Sequence, residues 1–192
     1  MQDAPRLFLV RHGETEWNRA GRIQGSKNSP LTALGREHAE RQGRVFERLN
    51  PGLADMPLYV SPLERARSTA RIALPGQAHI VDPRLSEIAC GAWEGLNPEE
   101  RAAGWPDLVA KCQSDLNLYD RAPGGEGLDA VEARVASFLA DLTGPSIIVA
   151  HKVVLIVLRG ILRGLDRTTL HDLDAPQGVV IEIVHGQETH LV

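Results

Sequence analysis

Short apolar runs alternate along this chain with longer stretches of helical period, the pattern of an α/β layered domain. Leu7–Val10, Leu58–Val60, Ala78–Val81 and Ser146–Ala150 read as strands. Thr32 can cap a helix running towards Leu49, with Leu34, Val45, Phe46 and Leu49 on one face. Ser61-Pro62-Leu63-Glu64 predicts another helix start, with Ser as N-cap, Pro at the first helical position and Glu three residues after the cap. Val153–Leu162 is apolar on nearly every side and predicts a buried helix. Val179–Val184 and Glu188–Val192 suggest a closing hairpin around His185-Gly186-Gln187. Residues 90–127 are weaker in pattern and richer in Gly, Pro and Trp. They read as an insertion of short helices over the sheet, either a lid or a structural crossover. Trp93, Trp105 and Tyr119 in that insertion suit either the core of a small subdomain or a surface for a ring or sugar.

Composition narrows the class. A chain of 192 residues suits one compact domain spanning 1–192. A net charge of −4 argues against nucleic acid as a partner. Cys90 and Cys112 form no Cys-x-x-Cys pair, so they read as unpaired thiols in a reducing compartment. The opening apolar run is too short for a signal peptide. No stretch approaches the roughly 20 apolar residues of a membrane span. These features predict a cytoplasmic protein with no membrane partner. The sequence leaves the oligomeric state open, a homodimer among the options.

The chemistry gathers after the strands. Leu7–Val10 runs into Arg11-His12-Gly13, Leu58–Val60 into the segment carrying Arg65, Ala78–Val81 towards Glu87, and Ser146–Ala150 into His151. Ligands of open α/β sheets bind outside the carboxyl ends of the strands. Parallel strands would therefore bring two Arg, two His and one Glu to one edge. Guanidinium and imidazole groups suit a tetrahedral dianion and the charge of a phosphoryl-transfer transition state. One imidazole can act as nucleophile, and the carboxylic acid can protonate the leaving oxygen. Neither an acidic cluster nor a His-x-x-x-His pair suggests a metal site, and no cofactor is expected. Gly-x-x-x-x-Gly-Lys-Ser/Thr and Gly-x-Ser-x-Gly are both missing from the sequence, which disfavours a nucleotide-binding loop and a serine hydrolase.

Leu9-Val10-Arg11-His12-Gly13-Glu14-Thr15-Glu16-Trp17-Asn18 resembles the signature of the histidine phosphatase superfamily, the phosphoglycerate mutase-like group. The resemblance continues through Gln24-Gly25, Leu31-Thr32-Ala33-Leu34-Gly35, the stretch from Ser61 to Thr69, Leu85-Ser86-Glu87, Pro123-Gly124-Gly125-Glu126 and Val149-Ala150-His151. It implies a three-layer α/β/α sandwich with a mainly parallel sheet. It also implies His12 as the phosphorylated nucleophile, with Arg11, Arg65 and His151 holding the phosphoryl group. Asn18 would add a neutral donor, Glu87 would be the proton donor, and Gln24 and Gly25 would sit at the mouth.

Two positions depart from the family pattern. Lys152 follows His151 where relatives usually have Gly, which adds Lys152 to the candidate substrate contacts. Gly127 stands where many relatives carry Ser. Cofactor-dependent mutases of this group usually show a Tyr and a Lys beyond the catalytic acid and an Arg-Arg pair in the insertion. Here Cys90 and Pro98 occupy those stations, no Arg-Arg pair occurs, and Gly91-Ala92-Trp93-Glu94-Gly95 resembles the phosphatase branch. The expectation is a phosphomonoesterase acting on a small phosphorylated metabolite. Phosphoglycerate mutase-type transfer and a non-catalytic phosphate-binding module are the alternatives.

Overall fold

The computed structural model describes residues 5–49, 53 and 56–192. In chain order the elements are β1 (Leu7–Arg11), α1 (Glu16–Arg19), α2 (Ala33–Leu49), β2 (Leu58–Val60), α3 (Glu64–Ala73) and β3 (His79–Val81). Then come α4 (Pro98–Gly104), α5 (Pro106–Val109), α6 (Asp115–Asp120), α7 (Leu128–Ala140), β4 (Ser146–Ala150), α8 (Lys152–Arg163), β5 (Val180–Val184) and β6 (Gln187–Leu191). The six strands form one sheet in the order β3-β2-β4-β1-β5-β6. The four from β3 to β1 are parallel, and β5 and β6 run antiparallel. No helix among the described residues is long and apolar enough to cross a membrane.

Side-chain alternation along the strands builds the two cores. Leu7 and Leu9 pack on one face of the sheet with Ile148, Ala150 and the apolar sides of α7 and α8. Phe8 and Val10 pack on the other with Ile147, Val149, and Val45, Phe46, Ala66 and Ala70 of α2 and α3. The result is an α/β/α sandwich. Strands covered on both faces need apolar side chains in both directions, which accounts for the unbroken apolar run of β4. The hairpin turns at His185-Gly186, both at positive φ, as a two-residue turn of this twist requires.

Two expectations from the pattern change here. Leu34 lies 44% exposed on α2, and the buried face is instead completed by Gly35, Ala39, Gln42 and Gly43. The residues that pack α2 closely are small, so an apolarity count misplaced the stripe. The second helix begins at Glu64 behind Leu63, with no side-chain cap. Ser61 lies two residues before that cap, where its buried hydroxyl accepts from Leu63 N at 3.2 Å and meets His151 Nε2 at 2.7 Å.

Candidate active site

Strand register builds the site. Arg11 of β1 pairs level with Ala150 of β4, so His12 and His151 leave the sheet side by side. His12 N still bonds Ala150 O at 3.1 Å. Val60 of β2 is level with Val149, and Ser61 N bonds Val149 O at 3.0 Å, which sets the Ser61 hydroxyl against His151. The two imidazole rings stand 5.1 Å apart, centroid to centroid.

The loop after β1 is held by close backbone contact. Gly13 and Gly35 meet so tightly that a Cβ on Gly13 would lie 2.0 Å from Gly35 O, and one on Gly35 would lie 1.9 Å from Glu14 O. Thr32 Oγ1 accepts from Gly35 N at 2.9 Å and reaches Glu14 Oε1 at 2.7 Å, stitching the start of α2 to the loop. Gly13 N donates to Thr69 Oγ1 at 3.0 Å on α3. His12 Nδ1 lies 2.7 Å from Gly13 O. A carbonyl only accepts, so Nδ1 carries the proton and Nε2 of the neutral ring keeps its lone pair.

Electrostatics favour that neutral ring. Burial pushes His12 well below the usual imidazole range, and the Arg65 and Arg11 guanidiniums push the same way. His151 is lowered for the same reasons, burial first, then Arg65, His12 and Arg11. Burial lowers Arg65 to about 10, so it stays charged at neutral pH. Glu87 counters the burial of both arginines.

Main-chain carbonyls hold the guanidiniums in place. Arg65 donates to Gly25 O at 2.8 Å and to Lys27 O at 2.5 Å, and Arg11 Nη1 donates to Ala175 O at 2.8 Å. Neither spends its charge on a hydrogen-bonded carboxylate among the described residues. Arg11 Nε, Arg65 Nε and His151 Nδ1 are buried without a hydrogen-bond partner among the described residues. Buried polar groups left unpaired are costly, and a bound oxyanion is the ligand whose chemistry would satisfy cationic groups placed this way. The Glu87 carboxylate lies beside the start of α8, accepting from Val153 N at 3.3 Å and from its neighbour Ile88 N at 3.1 Å.

The structure thus gathers Arg11, His12, Arg65, Glu87 and His151. Asn18 closes a capping box on α1 with Thr15. Gly25 lies against Arg65, and its neighbour Gln24 is buried. Lys152 stands apart on the rim, its ammonium 2.6 Å from Asp115 of α6. Trp93 is fully buried and packs edge-on to Trp105, so it belongs to the core. Among the described residues no group of three His, Cys, Asp or Glu is placed to hold a metal ion.

The sequence assigns no phosphoryl-site role to three further contributors, Tyr119 standing out only as an aromatic of the insertion. Tyr119 feels both Glu87 and Arg11; burial and the Glu87 charge raise its hydroxyl, which keeps it protonated. Gln42, fully buried on α2, donates to Arg11 O at 3.0 Å. A polar residue on an otherwise packed helix face was the one available hint for it. Gln177 bonds the His12 carbonyl from a loop with no periodic pattern.

The chain is similar to known proteins over nearly its whole length. The family model of the histidine phosphatase superfamily (branch 1) matches residues 7–192. A relative from Enterobacter sp. (strain 638), named probable phosphoglycerate mutase GpmB, is 39% identical over 142 residues, covering 70% of this chain and 61% of the relative. The solved structure of the alpha-ribazole phosphatase from Shigella flexneri superposes with a TM-score of 0.79 at 30% identity, covering 97% of this chain and 95% of that one. A mycobacterial glucosyl-3-phosphoglycerate phosphatase complexed with VO3 gives a TM-score of 0.80 at 28% identity, covering 98% of each chain.

Proposed function

The chain belongs to the histidine phosphatase superfamily, and from that premise we propose that it hydrolyses a small phosphorylated metabolite through a phosphohistidine on His12. The observation that carries the reading is the His12 ring, neutral and fixed with its Nε2 lone pair free, beside His151 and within the field of Arg11 and Arg65.

Arg11, Arg65 and His151 bind the phosphoryl oxygens, and Asn18 adds a neutral donor. His12 Nε2 attacks phosphorus; the N–P bond forms as the bond to the leaving oxygen breaks. Glu87 in its acid form gives that oxygen a proton. The resulting carboxylate then takes a proton from water, which attacks phosphorus, breaks the N–P bond and releases inorganic phosphate. No metal or cofactor is needed in this scheme, because fixed cations do the electrostatic work. The chain acts as a single catalytic domain in the cytoplasm, with residues 90–127 a lid-like insertion rooted in the core through Trp93 and Leu116. Gln24 and Gly25 line the mouth.

Phosphoglycerate mutase activity is the second reading, favoured by the relative named above. A mutase must hold a carboxylate beside the phosphoryl group and needs free cations there. Lys152 is turned to Asp115, an exposed ion pair, and the stations at which mutases of this group carry Tyr and Lys hold Cys90 and Pro98 here, which favours hydrolysis. Phosphate release from an aryl phosphate in the presence of chelator tests the proposal. Turnover by the native protein and none by His12→Ala is expected. Turnover that survives in His12→Ala overturns the phosphohistidine.

A further inference from the structure

The neutral donor of the site is oriented by a residue that lies outside every sequence motif. Asn18 Oδ1 accepts from Thr15 N at 3.2 Å, from Thr15 Oγ1 at 3.1 Å and from Gln177 Nε2 at 3.3 Å. The Thr15 amide can only donate, so the atom facing it is the Asn18 oxygen. With the oxygen held by three donors, the Nδ2 group is the end left free. It makes no hydrogen bond to any described residue. Gln177 Nε2 also donates to the carbonyl of His12 at 3.1 Å. One side-chain amide therefore ties the main chain of His12 to the side chain of Asn18.

The same loop grips the site twice. Two residues before Gln177, the Ala175 carbonyl receives Arg11 Nη1 at 2.8 Å. Residues 175–177 precede β5, which pairs with β1, so the sheet itself brings this distant segment beside the β1 loop. The half-buried Gln177 side chain is well placed to choose which end of the Asn18 amide is presented.

We propose that Gln177 is a positioning residue for oxyanion capture, keeping the Asn18 N–H2 group, and not its carbonyl oxygen, available to phosphoryl oxygens. The proposal rests on the phosphomonoesterase reading above. A flipped amide would set an acceptor against an anion, turning an attraction into a repulsion. The two Thr15 bonds alone leave the orientation less firmly set, so losing Gln177 weakens capture without abolishing it.

The test measures inorganic phosphate affinity by calorimetry for the native protein, Asn18→Ala, Gln177→Leu and the double variant, with thermal unfolding recorded for each. Gln177→Leu should bind phosphate about fivefold more weakly, the size of one net hydrogen bond. The double variant should lose no more than Asn18→Ala alone, because Gln177 acts through Asn18. Native affinity in Gln177→Leu, or losses that multiply in the double variant, would overturn the assignment.

Gln177→Glu, measured both alone and in the Asn18→Ala background, supplies a readout that a bare added charge would not, because simple repulsion of the anion would weaken binding equally in both backgrounds. Its carboxylate opposes Asn18 Oδ1 at neutral pH, so affinity should fall at least tenfold and recover relative to the native protein as pH drops and the carboxylate gains a proton. A deficit independent of pH, or one equal in both backgrounds, counts against the proposal. Turnover by the native protein and His12→Ala reports separately on the phosphatase reading. Phosphate binding that depends on Gln177 without turnover keeps the assignment and removes the reading. Turnover that depends on His12, with phosphate binding indifferent to Gln177, does the reverse. A native protein that binds no phosphate overturns the assignment, and turnover alone decides the phosphatase reading.

Discussion

The imidazoles of His12 and His151 face each other across the ends of β1 and β4, 5.1 Å between centroids and inclined at 57°. Two charged imidazoles at that separation, beside two guanidiniums, would repel strongly. Burial and the arginines therefore keep both neutral, which suits a nucleophile whose lone pair must be free.

The first consequence is kinetic. Because His12 is held below the usual imidazole range, it stays neutral under conditions in which an ordinary imidazole would gain a proton. Phosphorylation of His12, followed as kcat/KM and corrected for substrate ionisation, should not fall as pH drops from 7.5 to 6. A fall of about fourfold over that interval, the effect of protonating an unshifted histidine, would show that burial and the arginines do not control the ring.

Stability should depend on pH in the opposite sense from a paired histidine. The unfolded chain protonates both rings near 6.5, whereas the folded chain resists to lower pH. Protons then favour the unfolded state, so stability is full above about pH 6.5 and falls as pH drops below it. The two groups together should remove up to about 2–3 kcal/mol between pH 7.5 and 5.5. Urea unfolding at the two pH values measures this, and His12→Gln should show a smaller loss than the native protein.

Glu87 is placed to donate a proton to the leaving group, so its effect should depend on that group. Glu87→Gln is expected to slow alkyl phosphates by roughly 10²–10³ and activated aryl phosphates far less, within the usual range for general acid catalysis. Rates across a series of leaving groups provide the check. Equal losses along the series would remove Glu87 from the acid's role.

Gly35 should tolerate no side chain. A Cβ there would sit 1.9 Å from the Glu14 carbonyl oxygen, and backbone cannot swing aside as a side-chain tip can. Gly35→Ala should cost about 1–3 kcal/mol of stability. It should also cut turnover by about 10²-fold, since displacing the loop misplaces His12. Denaturant unfolding and steady-state kinetics, read on the same preparation, measure both effects. A variant with native stability and rate would mean the loop moves freely.

Lys152 should matter little for stability. Its ion pair with Asp115 joins a side chain 24% exposed to one 75% exposed. Such a pair contributes about 0–1 kcal/mol, and less in salt. Lys152→Ala should therefore unfold within about 1 kcal/mol of the native protein. A larger loss in thermal or urea unfolding would make the rim pair a structural clamp.

Most of the site was legible from the sequence because its members sit where local pattern marks strand ends. Arg11 ends β1 and His12 follows it, His151 follows β4, and Arg65 lies in the first turn of α3. Alternation and apolar runs encode those elements locally, and parallel pairing does the rest. The same reasoning yielded the layered α/β class and the closing hairpin, while the three-layer sandwich followed from the family resemblance.

Tertiary structure alone decided the finer placements. Leu34 turned outward because Gly35 must meet Glu14. Register set the Ser61 hydroxyl against His151, and α3 started only at Glu64. Lys152 found Asp115 across the rim, and Gln177 reached His12 from 165 residues away. Periodicity reports only which way a residue faces within its own element. Which residue it meets there depends on strand register and loop path, which involve distant parts of the chain at once.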